Sequence, residues 1–68
     1  MQEISRKLGE NLKKVRTKKK LSQGALARFL EVDKGYISSI ESGKRNPTLA
    51  TIQKLANALG VSADELLK

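Results

Sequence analysis

The sequence predicts an all-α fold made of five short helices. Apolar residues recur at intervals of three and four along most of the 68-residue chain, which is the period of a helix with one buried face. Ser, Thr, Asp and Gly, which favour helix ends, interrupt this pattern at intervals. No run alternates apolar and polar residues as a half-buried strand does. We expect residues 1–68 to fold as a single domain with one small core.

The first helix is expected to end at about Lys19. Its buried face is predicted from apolar residues spaced by four, four and three: Ile4, Leu8, Leu12 and Val15. Three lysines at positions 18–20 follow at the carboxyl end, where positive charge interacts favourably with the helix dipole. Contact with phosphate groups is the alternative role for these lysines.

A tight polar turn is predicted between the second and third helices. Ser22 suits the N-cap of the second helix. The apolar residues expected on its buried face are Leu26, Ala27 and Leu30. Asp33 is again an N-cap type and opens the third helix, with a hydrogen bond accepted from cytosine N4 as the alternative role of its carboxylate. Gly43 would end this helix in a left-handed conformation. The third helix is expected to bury Ile37 and Ile40.

Two further helices complete the predicted fold. Thr48 can cap a fourth helix, which the left-handed residue Gly60 would end. The apolar residues with helical spacing inside it are Leu49, Ile52, Leu55, Ala56 and Leu59. Ser62 can cap a last turn or two that contains Leu66.

The composition excludes several classes of protein. The chain has no cysteine and no histidine, so it forms no disulfide framework or zinc finger and lacks the commonest general base. Its seven scattered carboxylates suggest neither a catalytic centre nor a metal cluster, so we expect no enzyme, cofactor or small-molecule ligand. No apolar run is long enough to span a membrane, and the amino terminus lacks a signal-peptide core. We therefore expect a cytoplasmic protein.

The charge balance points to an anionic partner. Fourteen Lys and Arg residues against seven Asp and Glu residues give a formal net charge of +7. This excess satisfies the electrostatic requirement for binding a nucleic acid. Ribosomal proteins and membrane-surface helices are equally basic, so the arrangement of residues has to decide between them.

That arrangement follows a recognisable order along the chain. The residues that carry it are Ser22, Gln23, Leu26, Ala27, Val32, Ile37, Ser38, Ile40, Glu41, Gly43, Lys44, Arg45, Asn46, Pro47, Leu55, Ala56, Leu59, Gly60 and Val61. In this order they resemble the phage repressor and Cro-like (XRE-type) helix-turn-helix family, over about residues 4–67. The resemblance implies a compact five-helix lambda-repressor-like domain. Its core would span about residues 12–66, and helices 2 and 3 would form the helix-turn-helix.

The resemblance also implies a function. It predicts a transcriptional regulator, in particular a repressor that binds double-stranded DNA at a palindromic operator as a homodimer, in the cytoplasm of a prokaryote or in association with its nucleoid. The alternative is a helical protein-interaction module, such as an antitoxin or an adaptor, built on the same fold. Salt separates the two, because DNA binding through many phosphate contacts weakens steeply with salt.

By resemblance, the helix near residues 34–42 is the recognition helix that enters the major groove. Its expected base contacts are Lys34, Gly35, Tyr36, Ser38 and Ser39. Lys34 can donate to guanine O6 and N7, although a lysine that touches only phosphate is the alternative. Gly35 has no side chain, so either the backbone approaches DNA closely or readout is lost there. Tyr36 either contacts a sugar or a thymine methyl group, or supports the helix from a partly buried position.

The expected phosphate contacts flank this helix. They are Gln23, Lys44, Arg45, Asn46 and Thr48, the last with the free N–H groups that open the fourth helix. By resemblance, Gln23 also braces the start of the recognition helix. Such contacts fix the register of a protein on DNA and carry no sequence information.

Two structural roles are implied as well. Glu41 opposes the dipole of its helix and needs a cation, and by resemblance Arg16 is that partner in a two-bond salt bridge. In several relatives the fifth helix supplies a dimer surface, for which Val61, Ala63 and Leu67 are the candidates here. The alternative is that these three residues only close the core.

Several positions depart from the family pattern or stay open. Gly24 and Ala25 stand where acidic residues are common, so Ser22 has no capping-box partner. Glu31 replaces the glycine usual in the turn, which either forces a positive φ or changes the turn. Phe29 is placed either to pack or to remain partly exposed.

Overall fold

Five helices account for most of the chain. A computed structural model describes residues 3–68, and within them the helices are α1 Glu3–Lys18, α2 Gln23–Leu30, α3 Lys34–Glu41, α4 Leu49–Leu59 and α5 Ala63–Leu67. The all-α prediction is confirmed, and every predicted helix is present with its ends within a residue or two. None of the helices in this part of the chain is both long and apolar enough to cross a membrane.

One apolar core receives side chains from all five helices. Its buried members are Leu8, Leu12, Leu26, Ala27, Ile37, Ile40, Ile52, Leu55, Ala56, Leu59 and Leu66. All except Leu66 were predicted from helical spacing, whereas Leu66 was predicted only to lie in the last helix. Val15 and Leu30 pack against this core while staying partly exposed. The two helices joined by the α2–α3 turn both pack into this core. The position of α3 is therefore fixed relative to the rest of the molecule.

Two residues predicted to be buried are exposed. Ile4 retains 72% of its exposure and Leu49 retains 75%. The buried face of α1 is rotated away from the predicted one and contains Ser5, Leu8, Gly9, Leu12 and Arg16, so Ile4 lies roughly 90° around the helix from its centre. Leu49 lies in the first turn of α4, one turn before Ile52, where the core begins.

The predicted caps differ in their chemistry. The Ser22 hydroxyl accepts a hydrogen bond from the Ala25 N–H at 2.9 Å, and Thr48 Oγ1 accepts one from the Thr51 N–H at 3.2 Å. Asp33 and Ser62 occupy N-cap positions with extended backbones, but their side chains accept no capping hydrogen bond. The prediction that the Asp33 carboxylate caps α3 is therefore wrong in its chemistry and right in its position.

Left-handed residues follow four of the helices: Lys20 after α1, Glu31 after α2, Gly43 after α3 and Gly60 after α4. Gly43 after α3 and Gly60 after α4 have φ of 80° and 71°, as predicted. Glu31 has φ 59° and ψ 44°, so the turn keeps its left-handed residue without a glycine. Its backbone N–H donates to the Ala27 and Arg28 carbonyls. A non-glycine residue here carries a backbone cost of about 1–2 kcal/mol.

The crossing of α1 and α3 depends on Gly9. A β-carbon at this position would lie 2.6 Å from the Glu41 carbonyl oxygen and closer still to the Ile40 carbonyl oxygen. Both contacts are with backbone atoms, which cannot move without displacing α3. Gly9 thus permits the close approach of the two helices.

The carboxyl-terminal helix is attached to α1 by an asparagine. The Asn11 side-chain amide donates to the Leu66 carbonyl at 3.0 Å and to the Lys68 carbonyl at 3.2 Å. These bonds satisfy carbonyl groups at the end of α5, which the helix itself leaves unpaired. They complement the burial of Leu66 in holding this five-residue helix in place.

Candidate nucleic-acid interface

The two faces of α3 differ sharply in exposure. Ile37 and Ile40 are completely buried, whereas Lys34, Gly35 and Ser38 are exposed. One face of the helix packs into the core, and the opposite face presents a lysine and small residues to solvent. A helix mounted in this way can enter the major groove of duplex DNA, which is about 12 Å wide.

Gly35 lies in the open part of this outward face. A β-carbon added to it would meet no heavy atom within 4 Å, and the residue has no left-handed φ. Nothing within residues 3–68 therefore requires a glycine at this position, in contrast to Gly9. The small size of Gly35 can therefore affect only the approach of a binding partner to this face.

Tyr36, Ser39 and Arg45 form one cluster at the edge of this face. The Arg45 guanidinium carbon lies 4.9 Å from the centre of the Tyr36 ring. Arg45 Nε donates to Ser39 Oγ at 3.3 Å, and the Ser39 hydroxyl donates to the Tyr36 carbonyl at 2.9 Å. Tyr36 and Ser39 are half-buried. Two expected base contacts are thus joined to a residue that was expected to contact phosphate.

A buried ion pair connects α1 to the end of α3. The Arg16 and Glu41 side chains retain 9% and 4% of their exposure, and Arg16 Nε lies 2.5 Å from Glu41 Oε2. Arg16 Nη2 donates to Glu41 Oε1 at 3.1 Å, and Nη1 donates to the Leu21 carbonyl at 2.6 Å. The expected two-bond geometry is present, and it fixes the plane of the guanidinium.

Gln23 completes this cluster. Its side-chain amide donates to Glu41 Oε1 at 3.0 Å, so Gln23 connects the first residue of α2 to the last residue of α3. The resemblance implied that Gln23 braces the start of the recognition helix, whereas in the structure it contacts the end. The reason is that Glu41, already held by Arg16, offers the carboxylate oxygen that the amide can reach.

The basic loop after α3 is open to solvent. Lys44, Arg45, Asn46 and Thr48 are all exposed. The Thr48 hydroxyl is engaged in capping α4, so an incoming phosphate would find the backbone N–H groups that open the helix rather than a free hydroxyl. The loop and the amino end of α4 together offer positive charge and N–H donors.

The candidate dimer residues are unequally exposed. Leu67 retains 45% of its exposure, whereas Val61 and Ala63 are partly buried against the core. Val61 and Ala63 therefore help to close the core, which was the alternative role considered for them. Of the three, Leu67 offers the most apolar surface to a partner.

Sequence reasoning missed Gly9 and Asn11, which position α3 and α5, and the burial of Ser5. Gly9, Ser5 and Asn11 lie on α1, where a glycine and two polar residues gave no apolar signal. A glycine in a helix interior costs about 1 kcal/mol relative to alanine, which could have marked Gly9 as a packing site. Across residues 3–68, no three Asp or Glu side chains come together as metal ligands.

Comparison with known proteins gives consistent results. The helix-turn-helix family HTH_3 matches residues 12–66. Control protein C.MunI from a Mycoplasma species is 42% identical over 67 residues, which are 97% of this chain and 90% of that protein. The SPbeta prophage-derived HTH-type transcriptional regulator YonR of Bacillus subtilis is 50% identical over 60 residues, 88% of this chain and 56% of that protein. The crystal structure of the restriction-modification controller protein C.AhdI from Aeromonas hydrophila superposes with a TM-score of 0.87 at 42% identity, covering 91% of this chain and 94% of that one.

Proposed function

The chain belongs to the helix-turn-helix family of DNA-binding transcriptional regulators, and from this premise we propose that it represses transcription by binding a palindromic operator as a homodimer. The observation that carries the proposal is the exposed polar face of α3, opposed by the buried Ile37 and Ile40. Residues 1–68 act as one DNA-binding domain. Two such domains place their α3 helices in successive major grooves roughly 34 Å apart.

Sequence recognition begins at the amino end of α3. Lys34 is exposed and donates from its ammonium group to guanine O6 and N7. Ser38 lies one turn further on and is also exposed. Its hydroxyl donates or accepts, so it adds little discrimination between bases. Gly35 lies between them and lets the helix backbone approach the base edges.

Phosphate contacts fix the register of α3 in the groove. Lys44, Asn46 and the N–H groups near Thr48 bind one stretch of backbone. Gln23 binds phosphate on the other side of the helix-turn-helix with the amide hydrogen that Glu41 leaves free, since a side-chain amide has two donors. These contacts supply affinity that depends on salt and not on sequence.

Dimer formation places Leu67 of α5 against its symmetry mate, with Val61 and Ala63 at the margin of the contact. The support for this is the 45% exposure of Leu67 beside the fully buried Leu66. Sedimentation of the protein with its operator is expected to give two protomers per palindrome. Leu67→Glu is expected to favour complexes with a single protomer per palindrome, because two buried carboxylates would face each other in the dimer.

Selection of binding sites from random duplexes tests the proposal. The wild-type protein is expected to yield a palindromic motif. Lys34→Ala is expected to relax one position in each half-site, with a loss of about 1–3 kcal/mol in discrimination. A motif that is unchanged by Lys34→Ala would contradict the base-reading role of this residue, and the absence of any motif would contradict sequence-specific repression.

The phosphate contacts are tested by salt. Lys44→Ala is expected to weaken binding to all duplexes alike and to reduce the slope of log affinity against log salt by about 1. Lys54→Ala is the matched control, because Lys54 is an exposed lysine on α4 outside the proposed interface. Equal effects of the two substitutions would mean that the loop makes no specific contact. Binding that is insensitive to salt would favour a protein-interaction module instead.

A further inference from the structure

The backbone after α3 folds back onto the recognition helix. Gly43 adopts φ 80°, and the N–H groups of Lys44 and Arg45 then both donate to the Ser39 carbonyl, at 2.9 and 3.2 Å. This returns the start of the loop to the last two turns of α3. Arg45 therefore begins beside the helix surface rather than at a distance from it.

The Arg45 side chain is held in one orientation by two contacts. The Tyr36 ring lies under the guanidinium at 4.9 Å, within the range of a cation–π interaction. The Ser39 hydroxyl oxygen accepts the Nε hydrogen at 3.3 Å. A guanidinium has five N–H donors, so four remain on the two terminal nitrogens of Arg45. The edge formed by these two nitrogens remains free and can pair with two acceptors at once.

Ser39 is committed to this arrangement. Its hydroxyl has one hydrogen and two lone pairs. The hydrogen is donated to the Tyr36 carbonyl, and one lone pair accepts from Arg45. The Ser39 hydroxyl therefore has one lone pair left to accept a hydrogen bond. A single acceptor discriminates poorly between bases. Ser39 is thus better placed to orient Arg45 than to read DNA.

Lys34 and Arg45 flank the outward face of α3 from opposite edges. Going around the helix at about 100° per residue, Lys34 lies at one margin of the face and Ser39 at the other. Between them lie Gly35 and Ser38, which are small and exposed. The face therefore has a shallow floor bounded by two long cationic side chains.

We propose that Arg45 is a second base-reading residue, which recognises a guanine through its O6 and N7 atoms in the major groove, and that Tyr36 and Ser39 are its positioning residues. This inference rests on the proposed DNA-binding function and reassigns Arg45 from phosphate contact to readout. A phosphate contact requires charge near the backbone, whereas guanine recognition requires a guanidinium of fixed plane. The contacts with Tyr36 and Ser39 provide that fixed plane.

The charge-conserving variant Arg45→Lys separates the two roles. Lysine retains a phosphate contact but loses the planar pair of donors. Site selection with Arg45→Lys is expected to lose a guanine in each half-site, different from the position that Lys34→Ala relaxes. The preference for that guanine should fall roughly 5- to 100-fold. Lys54→Arg is the control, an equally conservative change at an exposed lysine of α4 outside the proposed interface, which should leave the motif unchanged.

The positioning role has its own test. Tyr36→Leu removes the ring beneath the guanidinium and is expected to weaken the preference for the same guanine. Tyr36→Phe keeps the ring and should keep the wild-type preference. Ser39→Ala should weaken the same preference without affecting other positions. A tyrosine that merely supported the helix would change overall affinity alike at all positions. Far-ultraviolet circular dichroism and thermal melting establish that each variant is folded.

The outcomes are distinct. A wild-type motif that loses one guanine in Arg45→Lys supports the inference. A wild-type motif that Arg45→Lys leaves intact overturns it and returns Arg45 to a phosphate contact, while the proposed function stands. If the wild-type protein selects no motif, sequence-specific repression and this inference both fail.

Discussion

Two glycines on neighbouring helices have opposite surroundings. Gly9 lies against the carbonyl oxygens of Ile40 and Glu41, so a β-carbon there would overlap backbone atoms of α3. Gly35 lies in open space on the outward face of α3. The first glycine is required by packing inside the chain, and the second is free for contact outside it. The two residues therefore allow stability and DNA binding to be tested separately.

Gly9→Ala is expected to destabilise the fold by about 1–3 kcal/mol or more, because α3 must move to admit the methyl group. Urea unfolding followed by circular dichroism measures this change. Gly24→Ala is the matched control, since its β-carbon would meet only Ser22 Oγ at 3.9 Å and Arg28 Nη1 at 4.0 Å. The control should be neutral or stabilising by up to about 1 kcal/mol. Equal stabilities of the two variants would mean that α1 and α3 are not packed as closely as described.

Gly35→Ala is expected to leave the free energy of unfolding unchanged or to raise it by up to about 1 kcal/mol, since alanine is the better helix former. Binding to the selected operator should nevertheless weaken by about 1–3 kcal/mol. The added methyl group would project from the face of α3 that approaches the bases and hold the helix further from them. Fluorescence anisotropy with a labelled duplex measures this loss. Unchanged affinity would mean that the helix backbone does not approach DNA closely at this position.

At the scale of elements, the joint between α1 and α3 determines where the recognition helix lies. Arg16, Glu41 and Gln23 connect three helices through side chains, and the pair at its centre is nearly excluded from solvent. Charges buried in this way require their partners, because an unpaired one has lost its hydration without compensation. The joint is therefore sensitive to the loss of either charge alone.

Arg16→Met and Glu41→Leu are each expected to cost about 3–5 kcal/mol in the free energy of unfolding, since each leaves one buried charge unpaired. The double variant should cost less than the sum of the single changes, because it leaves no orphaned charge. Urea unfolding of all four proteins closes this cycle. Additive losses would mean that the two side chains are not energetically coupled.

Helical spacing predicted the number, order and approximate ends of the helices, and ten of the eleven buried apolar residues of the core. It did not predict the burial of Leu66, because the last helix is too short to show a period. It failed at Ile4 and Leu49, which continue an apolar pattern beyond the layer where neighbouring helices pack. It also gave no signal for Gly9, because a glycine between Leu8 and Glu10 does not reveal how closely another helix approaches. Local pattern fixes the helix, whereas its rotation toward the core depends on tertiary neighbours.

At the scale of the whole molecule, one apolar core supports the outward face of α3, and the exposed cations Lys34, Lys44 and Arg45 lie around that face. The resemblance anticipated the Arg16–Glu41 pair and the outward polar face of α3, because both follow from the order of residues along the chain. It did not anticipate that Arg45 lies over Tyr36. That contact arises from the left-handed turn at Gly43, whose direction in space cannot be read from spacing alone.

The outward face of α3 carries the proposed contact with DNA bases. Amide chemical shifts of ¹⁵N-labelled protein, titrated with the selected operator duplex and with a scrambled duplex of equal length, test it most directly. With the operator, the largest changes should fall on residues 34–39 and 44–46, together with Gln23. With the scrambled duplex, residues 34–39 should change much less than Lys44, Asn46 and Gln23. Amides of residues 34–39 that stay unchanged at saturation with the operator would contradict a recognition role for this helix.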